Sequence, residues 1–257
     1  INPRLGRREM AAILDRADPA LILIDRASFA DCPMPARAVI ERSELLTDGP
    51  PLGERRPHLT EADPAVIVWT SGTTGTPKGA WFDHRNLRAA VASAGAMARP
   101  YDVRLVVTPF AHAGYMAKPW EQIAWGVSLV IAPTPWSAAE MLQLMVDERV
   151  TFAGGAPTQW LKLLEQPGLA DADLSCLRLG GVAMAPASPE LVERVGRATG
   201  VPLIVRCSMT ESPSVSGTQP DDPVDVQCRT VGRAVTGMQI AVVDGPGQRP
   251  PGDPTGR

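Results

Sequence analysis

Lysine is nearly absent from this chain. Only Lys78, Lys118 and Lys162 occur, and the rest of its 25 basic residues are arginines. Arginine does not give up its proton in proteins, so very few positions can do lysine chemistry. Cysteine is also sparse: Cys32, Cys176, Cys207 and Cys228, with no CxxC pair. That spacing excludes a zinc ribbon or a dithiol redox motif. A disulfide framework is not expected in a chain of 257 residues, so the thiols read as reduced and the compartment as cytoplasmic. The three histidines, His58, His84 and His112, lie far apart, and no HExxH occurs. A helix-face metal site of that type is therefore excluded. No apolar run is long enough to cross a bilayer, and no signal peptide is visible. Charge of one sign is lacking too. The formal net charge of −3 predicts neither nucleic acid nor an acidic membrane as partner.

What is present is an ordinary globular composition, 44% hydrophobic and 21% charged, with length enough for one or two domains. Nothing in it fixes an oligomeric state. Ile1 stands where an initiator Met is expected, and Gly245 to Arg257 consists mostly of turn residues. Both ends are expected to be cut from a longer chain.

Short apolar runs alternate with amphipathic stretches. Leu21–Ile24, Ala65–Trp69, Leu105–Thr108, Val127–Ile131 and Leu203–Val205 read as strands covered on both faces. Ser137-Ala138-Ala139-Glu140 is a capping box that opens a helix carrying Met141, Leu142, Leu144 and Met145. Ser188 and Pro189 open another, with Leu191, Val192 and Val195 as its apolar face and Gly200 as its end. This alternation predicts an α/β fold with mostly parallel sheets flanked by helices. Residues 44–60 read as an exposed loop, and Met238 to Val243 as the start of a β subdomain.

The informative stretch is Thr70-Ser71-Gly72-Thr73-Thr74-Gly75-Thr76-Pro77-Lys78-Gly79, directly after a predicted strand. Its glycines let backbone approach a ligand, successive N–H groups can form an anion nest, and the hydroxyls and Lys78 can meet phosphate oxygens. Composition alone leaves a plain surface loop equally open. A Walker A loop is excluded: counted from Gly72, Pro77 stands at the required second glycine and Gly79 at the required Ser/Thr.

As an ordered string this stretch resembles the signature loop of the adenylate-forming superfamily, which includes acyl-CoA synthetases, aryl-CoA ligases, luciferases and peptide-synthetase adenylation domains. The resemblance continues in order. His84-Arg85-Asn86-Leu87 is similar to the helix start after that loop, and Pro109-Phe110-Ala111-His112-Ala113-Gly114 to the family's P-[LF]-x-H-x-x-G motif. Val150-Thr151 and Ala156-Pro157-Thr158 follow. Leu179-Gly180-Gly181-Val182-Ala183-Met184 resembles the adenine-side loop, Met209-Thr210-Glu211 the Thr-Glu motif, and Thr230-Val231-Gly232-Arg233 the run after it.

The resemblance implies two half-reactions, with ATP, Mg²⁺ and coenzyme A as cofactors and co-substrates. A carboxylic acid, fatty or aryl, attacks the α-phosphorus of ATP; a thiol then attacks the acyl-AMP. Transfer to a carrier protein and a non-catalytic nucleotide-binding module are the alternatives. On this reading Thr70, Ser71, Gly72, Thr73, Thr74, Gly75, Lys78 and Gly79 hold phosphates. Gly180, Gly181, Val182, Ser208 and Met209 line the nucleotide, Thr210 meets the α-phosphate, and Glu211 binds Mg²⁺. Thr70, His112, Thr210 and Glu211 are the expected catalytic set, with His112 at the acyl site. By composition alone a lone His is more often a packed side chain, and Thr-Glu more often a helix cap. The implied organisation is an α/β portion with the phosphate loop over 1–105, a second with acyl and adenine sites over 106–228, and the start of a β subdomain over 229–257.

Two features depart from the family. Cys207-Ser208 stands where an aromatic-Gly pair packs on adenine. No lysine follows Lys162, whereas the family takes one from a small C-terminal domain. The chain alone is accordingly expected to be inactive or nearly so.

Overall fold

Strand and helix alternate along the chain as the apolar pattern predicts. The computed structural model describes residues 1–2, 4–27, 29, 32, 38–46, 58–70, 77–116, 119–241 and 243. The chain divides into two units, Ile1–Arg88 with Pro109–Pro119 and Ala89–Thr108 with Trp120–Arg257.

The first unit begins with helix α1 (Arg7–Ala17), which buries Met10, Ile13 and Leu14 at i, i+3 and i+4. Its first turn is closed by Glu9, whose carboxylate accepts from the Gly6 N–H at 2.9 Å. Strands β1 (Leu21–Ile24) and β2 (Ala38–Glu41) pair in parallel. Expected to be covered on both faces, β1 instead leaves Leu21 and Leu23 exposed. Strands β3 (Pro64–Thr70) and β4 (Lys78–Asp83) form an antiparallel hairpin with Thr70 opposite Lys78. The sequence reading does not foresee β4, because Lys78-Gly79 looks like the tail of the glycine-rich loop. Helix α2 (His84–Ala92) starts directly after it and carries the chain toward the second unit. The buried Asp83 carboxylate caps α2, accepting from the Asn86 N–H at 2.8 Å and from Arg85 Nε at 3.0 Å. The Asn86 N–H, followed by Arg85, holds that carboxyl below the usual carboxylate value. The short helix α3 (Ala113–Met116) packs on β3.

The second unit is an α/β layer. Its strands are β5 (Val103–Val106), β6 (Ser128–Ile131), β7 (Phe152–Gly155), β8 (Leu179–Val182), β9 (Leu203–Met209), β10 (Ser212–Gly217) and β11 (Arg233–Ala234). Its helices are α4 (Pro119–Trp125), α5 (Ala138–Asp147), α6 (Pro157–Leu164), α7 (Pro189–Thr199) and α8 (Val224–Arg229). The sheet order is β11-β10-β9-β8-β7-β5-β6, parallel from β9 to β6 and antiparallel at β10 and β11. This is the expected mostly parallel, helix-flanked sheet. The predicted caps are present. Ser137 Oγ accepts from the Glu140 N–H and Ser188 Oγ from the Leu191 N–H, both at 3.2 Å, and α7 ends on Gly200 in the left-handed region at φ 73°. Residues 238–241 and 243, where a β subdomain was expected to begin, form no strand.

One face of the sheet packs Leu105, Met141, Met145, Trp160, Leu163 and Leu203; the other packs Met97, Phe152, Leu179 and Ile204. Between these layers the centre of β8 is crowded at its two glycines. A Cβ on Gly180 would lie 2.9 Å from Leu203 Cδ1 and 3.2 Å from the Trp160 ring; one on Gly181 would lie 3.1 Å from the Phe152 ring. Fully buried Trp160 also donates its Nε1–H to the Gly181 carbonyl at 3.0 Å.

Asp102, Thr151 and Arg178 each stand just before a strand and join at the amino edge of the sheet. The Asp102 carboxylate accepts from Thr151 Oγ1 at 2.7 Å and Arg178 Nε at 2.8 Å. Burial pushes its carboxyl up, but Arg178, Thr151 and the Arg99 N–H together hold it below the usual value. With the amino edge tied by charge, the carboxyl edge is left for loops and ligands, as in other open α/β sheets.

Trp160→Ala is expected to lower the free energy of unfolding by about 3–5 kcal/mol. Trp160→Phe keeps much of the apolar volume but removes the indole hydrogen bond to the Gly181 carbonyl, and is expected to cost about 0.5–1.5 kcal/mol. Urea denaturation measures both; an alanine variant within experimental error of the parent would contradict this account of the β8 layer.

Candidate functional site

In the first unit, the hairpin β3–β4 carries the glycine-rich loop at its tip. Thr70 Oγ1 donates to the Lys78 carbonyl at 3.3 Å where the loop leaves and rejoins the ladder. Ser71, Gly72, Thr73, Thr74, Gly75 and Thr76 lie outside the described residues. The loop's return is fixed at Pro77, which is buried and whose carbonyl accepts from Arg16 Nη1 of α1 at 3.1 Å. Lys78 is exposed and forms no ion pair among the described residues. Gly79 has a packing reason as well as a ligand reason. A Cβ there would lie 2.8 Å from Ile67 Cγ2 and 3.4 Å from the Trp69 ring, the two cross-strand side chains that lie over it.

His112 belongs to the same unit. Its Nδ1 accepts the Gly114 N–H at 3.1 Å, so it caps the first turn of α3. An Nδ1 that accepts carries no proton, which places the proton of the neutral ring on Nε2. His112 is exposed by area, yet enough protein surrounds the imidazole that desolvation lowers its pKa from the ordinary 6.5. Both effects favour the neutral ring. The rings of Phe110 and Tyr115 flank this turn with centroids 5.8 Å apart.

In the second unit, Gly180, Gly181 and Val182 are buried strand residues of β8 rather than a loop. The exposed segment begins after them, at Ala183. Met184 there takes a left-handed φ of 74°, unusual for a side chain with a Cβ. This segment, the carboxyl half of β9 and the residues after α8 line a cleft of about 850 Å³. Met184, Pro186, Val205, Cys207, Ser208 and Val231 form much of its wall. Of the residues expected at the nucleotide, Ser208 therefore lines the cleft. Cys207 lines it too, at the position where an aromatic ring is expected. Met209 is exposed at the end of β9.

Thr210 and Glu211 form the two-residue turn between β9 and β10, with Met209 paired to Ser212. They cap no helix. Glu211 is exposed and forms no ion pair or hydrogen bond among the described residues. Among the described residues no group of three acidic, His or Cys side chains could hold a metal ion. One free carboxylate suits Mg²⁺, which takes few protein ligands and fills its octahedron with phosphate oxygens and water.

Sequence reasoning missed three charged residues on the buried face of this sheet. Arg104 and Glu121 form an ion pair with almost no exposure. The Arg104 guanidinium also lies 5.2 Å from the centroid of the Phe152 ring and donates to the Met97 carbonyl at 3.0 Å. Arg206, on β9, lies within reach of the Glu121 charge. No periodicity marks them, since a charged residue within an apolar run reads as an exposed position.

A family model described as AMP-binding enzyme matches residues 1–257. The medium-chain acyl-CoA ligase ACSF2, mitochondrial, of Macaca fascicularis is 28% identical over 95% of the chain and 41% of its own length. A long-chain-fatty-acid–CoA ligase of Thermus thermophilus is 29% identical over 76% of the chain and 40% of its own length. The chain thus spans about two fifths of these relatives. Among solved structures, the N-terminal domain of FACL13 from Mycobacterium tuberculosis superposes with a TM-score of 0.76 at 22% identity, covering 92% of this chain and 62% of that one.

The His112 ring is expected to titrate below 6.5 and to remain the Nε2–H tautomer at neutral pH, as read by nitrogen chemical shifts. Because the folded pKa is lowered, its contribution to stability is full above the unfolded value and is lost as pH falls through 6.5 toward the folded value. His112→Asn, which keeps a side-chain acceptor for Gly114, should remove that acid sensitivity. A midpoint at or above 6.5 would rule the account out.

Proposed function

The chain belongs to the AMP-binding enzyme family, and on that premise we propose that the protein containing it is an AMP-forming acid–thiol ligase acting on a fatty acid. The observation that carries the reading is the hairpin β3–β4, which holds Thr70 and exposed Lys78 at the base of the hydroxyl-rich loop. Two relatives, a medium-chain acyl-CoA ligase and a long-chain-fatty-acid–CoA ligase, support the acid class.

In the first step a carboxylate oxygen attacks the α-phosphorus of ATP, the bond to the pyrophosphate oxygen breaks, and acyl-AMP forms. In the second the sulfur of coenzyme A attacks the acyl carbon and AMP leaves. Such transfers need positioning and charge neutralisation more than covalent help. The loop from Thr70 to Gly79 would hold the β- and γ-phosphates, with Lys78 as a mobile point charge on the leaving pyrophosphate. Thr210 would meet the α-phosphate. Glu211 would hold Mg²⁺, which neutralises phosphate charge when bound. His112, neutral and with its Nδ1 committed to Gly114, has only Nε2–H to offer, so it would donate to the acid's carboxylate rather than remove a proton. The cleft beside Met184 and Cys207 would take the adenine, with Met184 and Val231 covering a face that an aromatic ring covers elsewhere.

Cys207 favours one other reading, a module that binds nucleotide without chemistry. Acid-dependent exchange of pyrophosphate into ATP separates the two. Exchange with a C8–C16 fatty acid is expected. Tight ATP binding without exchange for any acid would support the module instead.

Glu211→Gln is expected to lower the exchange rate about a hundred-fold at limiting magnesium with the fold intact, since a charged oxygen ligand is lost at nearly constant volume. Unchanged exchange for this variant would remove Glu211 from the metal role.

A further inference from the structure

Two successive carbonyls where the glycine-rich loop rejoins the hairpin are held by side chains. The Pro77 carbonyl accepts from Arg16 Nη1 of α1 at 3.1 Å, and the Lys78 carbonyl accepts from Thr70 Oγ1 of β3 at 3.3 Å. The Lys78 Cα stands between these two carbonyls. Peptide units are planar, so holding both carbonyls sets the direction in which the Lys78 side chain leaves β4. The Arg16 contact joins residues 61 positions apart and ends on a buried residue. Arg16 lies in the last turn of α1, where any cation suits the helix dipole. A helix-end role asks only that the charge stay near the last carbonyls of α1, yet the guanidinium donates to the end of the loop instead. Its base is firm, because α1 is anchored by Met10, Ile13 and Leu14, with Ile13 only 1% exposed. Arg16 and Lys78 are both exposed, and neither forms an ion pair among the described residues. Two uncompensated cations thus adjoin one peptide, an arrangement that an arriving polyanion relieves.

We propose that Arg16 is a positioning residue for the triphosphate: through the Pro77 carbonyl it fixes the peptide between Pro77 and Lys78, and so aims the Lys78 ammonium at the β- and γ-phosphates. The aim at those phosphates rests on the ligase reading of the loop; the tie from α1 does not. A hydrogen bond from a guanidinium is among the stronger ones a carbonyl can accept, and it fixes direction as well as distance. A charge held in place before the ligand arrives stabilises more than the same charge on a loose tether. Without Arg16 the Pro77 carbonyl loses its donor, and Lys78 keeps its charge but not its aim.

The test is calorimetric binding of ATP and of AMP to the intact protein, Arg16→Met, Arg16→Lys, Lys78→Met and the double variant Arg16→Met with Lys78→Met. AMP lacks the two phosphates that Lys78 would meet, so it reports any general damage to the nucleotide site. Arg16→Met is expected to weaken ATP about tenfold and AMP by less than about twofold. Arg16→Lys keeps a charged donor and is expected to hold ATP within about threefold of the parent. In the Lys78→Met background the Arg16→Met change is expected to cost ATP less than about threefold, since the group it positions is gone. A merely structural role for Arg16 would give equal losses in both backgrounds and for both nucleotides. Unchanged ATP binding in Arg16→Met, an equal loss for AMP, a full loss retained in the Lys78→Met background, or a parent protein that binds no ATP overturns the proposal. If no acid supports pyrophosphate exchange while Arg16→Met still weakens ATP alone, the ligase reading fails and this inference stands.

Discussion

The second unit can assemble only because strand β8 presents almost no side-chain volume at its centre. Trp160 and Leu203 close on Gly180 from one face, and Phe152 closes on Gly181 from the other, at distances where a methyl group would force those side chains to shift. The Trp160 indole then fastens the strand through the Gly181 carbonyl. A strand of glycine is weak by itself, since it loses more backbone entropy on ordering and packs nothing. Here the large neighbouring rings supply the burial that the glycines cannot. The consequence reaches the site, because β8 runs straight into the Ala183–Ser188 segment and lies beside β9, so the packing of two glycines sets where the cleft wall begins.

The same constraint explains what was legible in the sequence. Strands made of continuous apolar runs, such as Leu21–Ile24 and Leu203–Val205, are found where their composition places them. So are α5 and α7, whose Ser137 and Ser188 caps announce the first turn. Strands rich in glycine are not legible. Phe152–Gly155 and Leu179–Val182 look like turns, and their strand character comes entirely from residues distant in sequence. Strand β4 fails for the same reason, since Gly79 owes its place to Ile67 and Trp69 across the ladder. Tertiary packing overrides local propensity most completely where the residue itself contributes no side chain.

At the candidate site the ordered motifs were legible and their geometry was not. The loop after β3, the His112 turn and the Thr210–Glu211 pair could each be located from the string of residues. That His112 spends Nδ1 on a helix cap could not be read from it, and neither could the placement of Thr210–Glu211 on a hairpin turn rather than at a helix start. Both details alter the chemistry. A ring with Nδ1 committed is a donor through Nε2, and a carboxylate at a two-residue turn is exposed and unpaired.

The second unit holds two buried charge clusters with opposite properties. At the amino edge, Asp102 receives donors from Thr151, Arg178 and the Arg99 backbone, so its buried carboxylate is fully satisfied and ties three strands together. A network in that state rigidifies the fold. On the face of the sheet that carries Phe152 and Ile204, Arg104 Nε, Glu121 Oε1 and Arg206 Nη2 have no hydrogen-bond partner among the described residues, although Arg104 and Glu121 are paired with each other. Leaving such atoms buried and unpaired costs the folded state, so this second cluster is held by the packing around it, including the Phe152 ring under Arg104, rather than by a closed network.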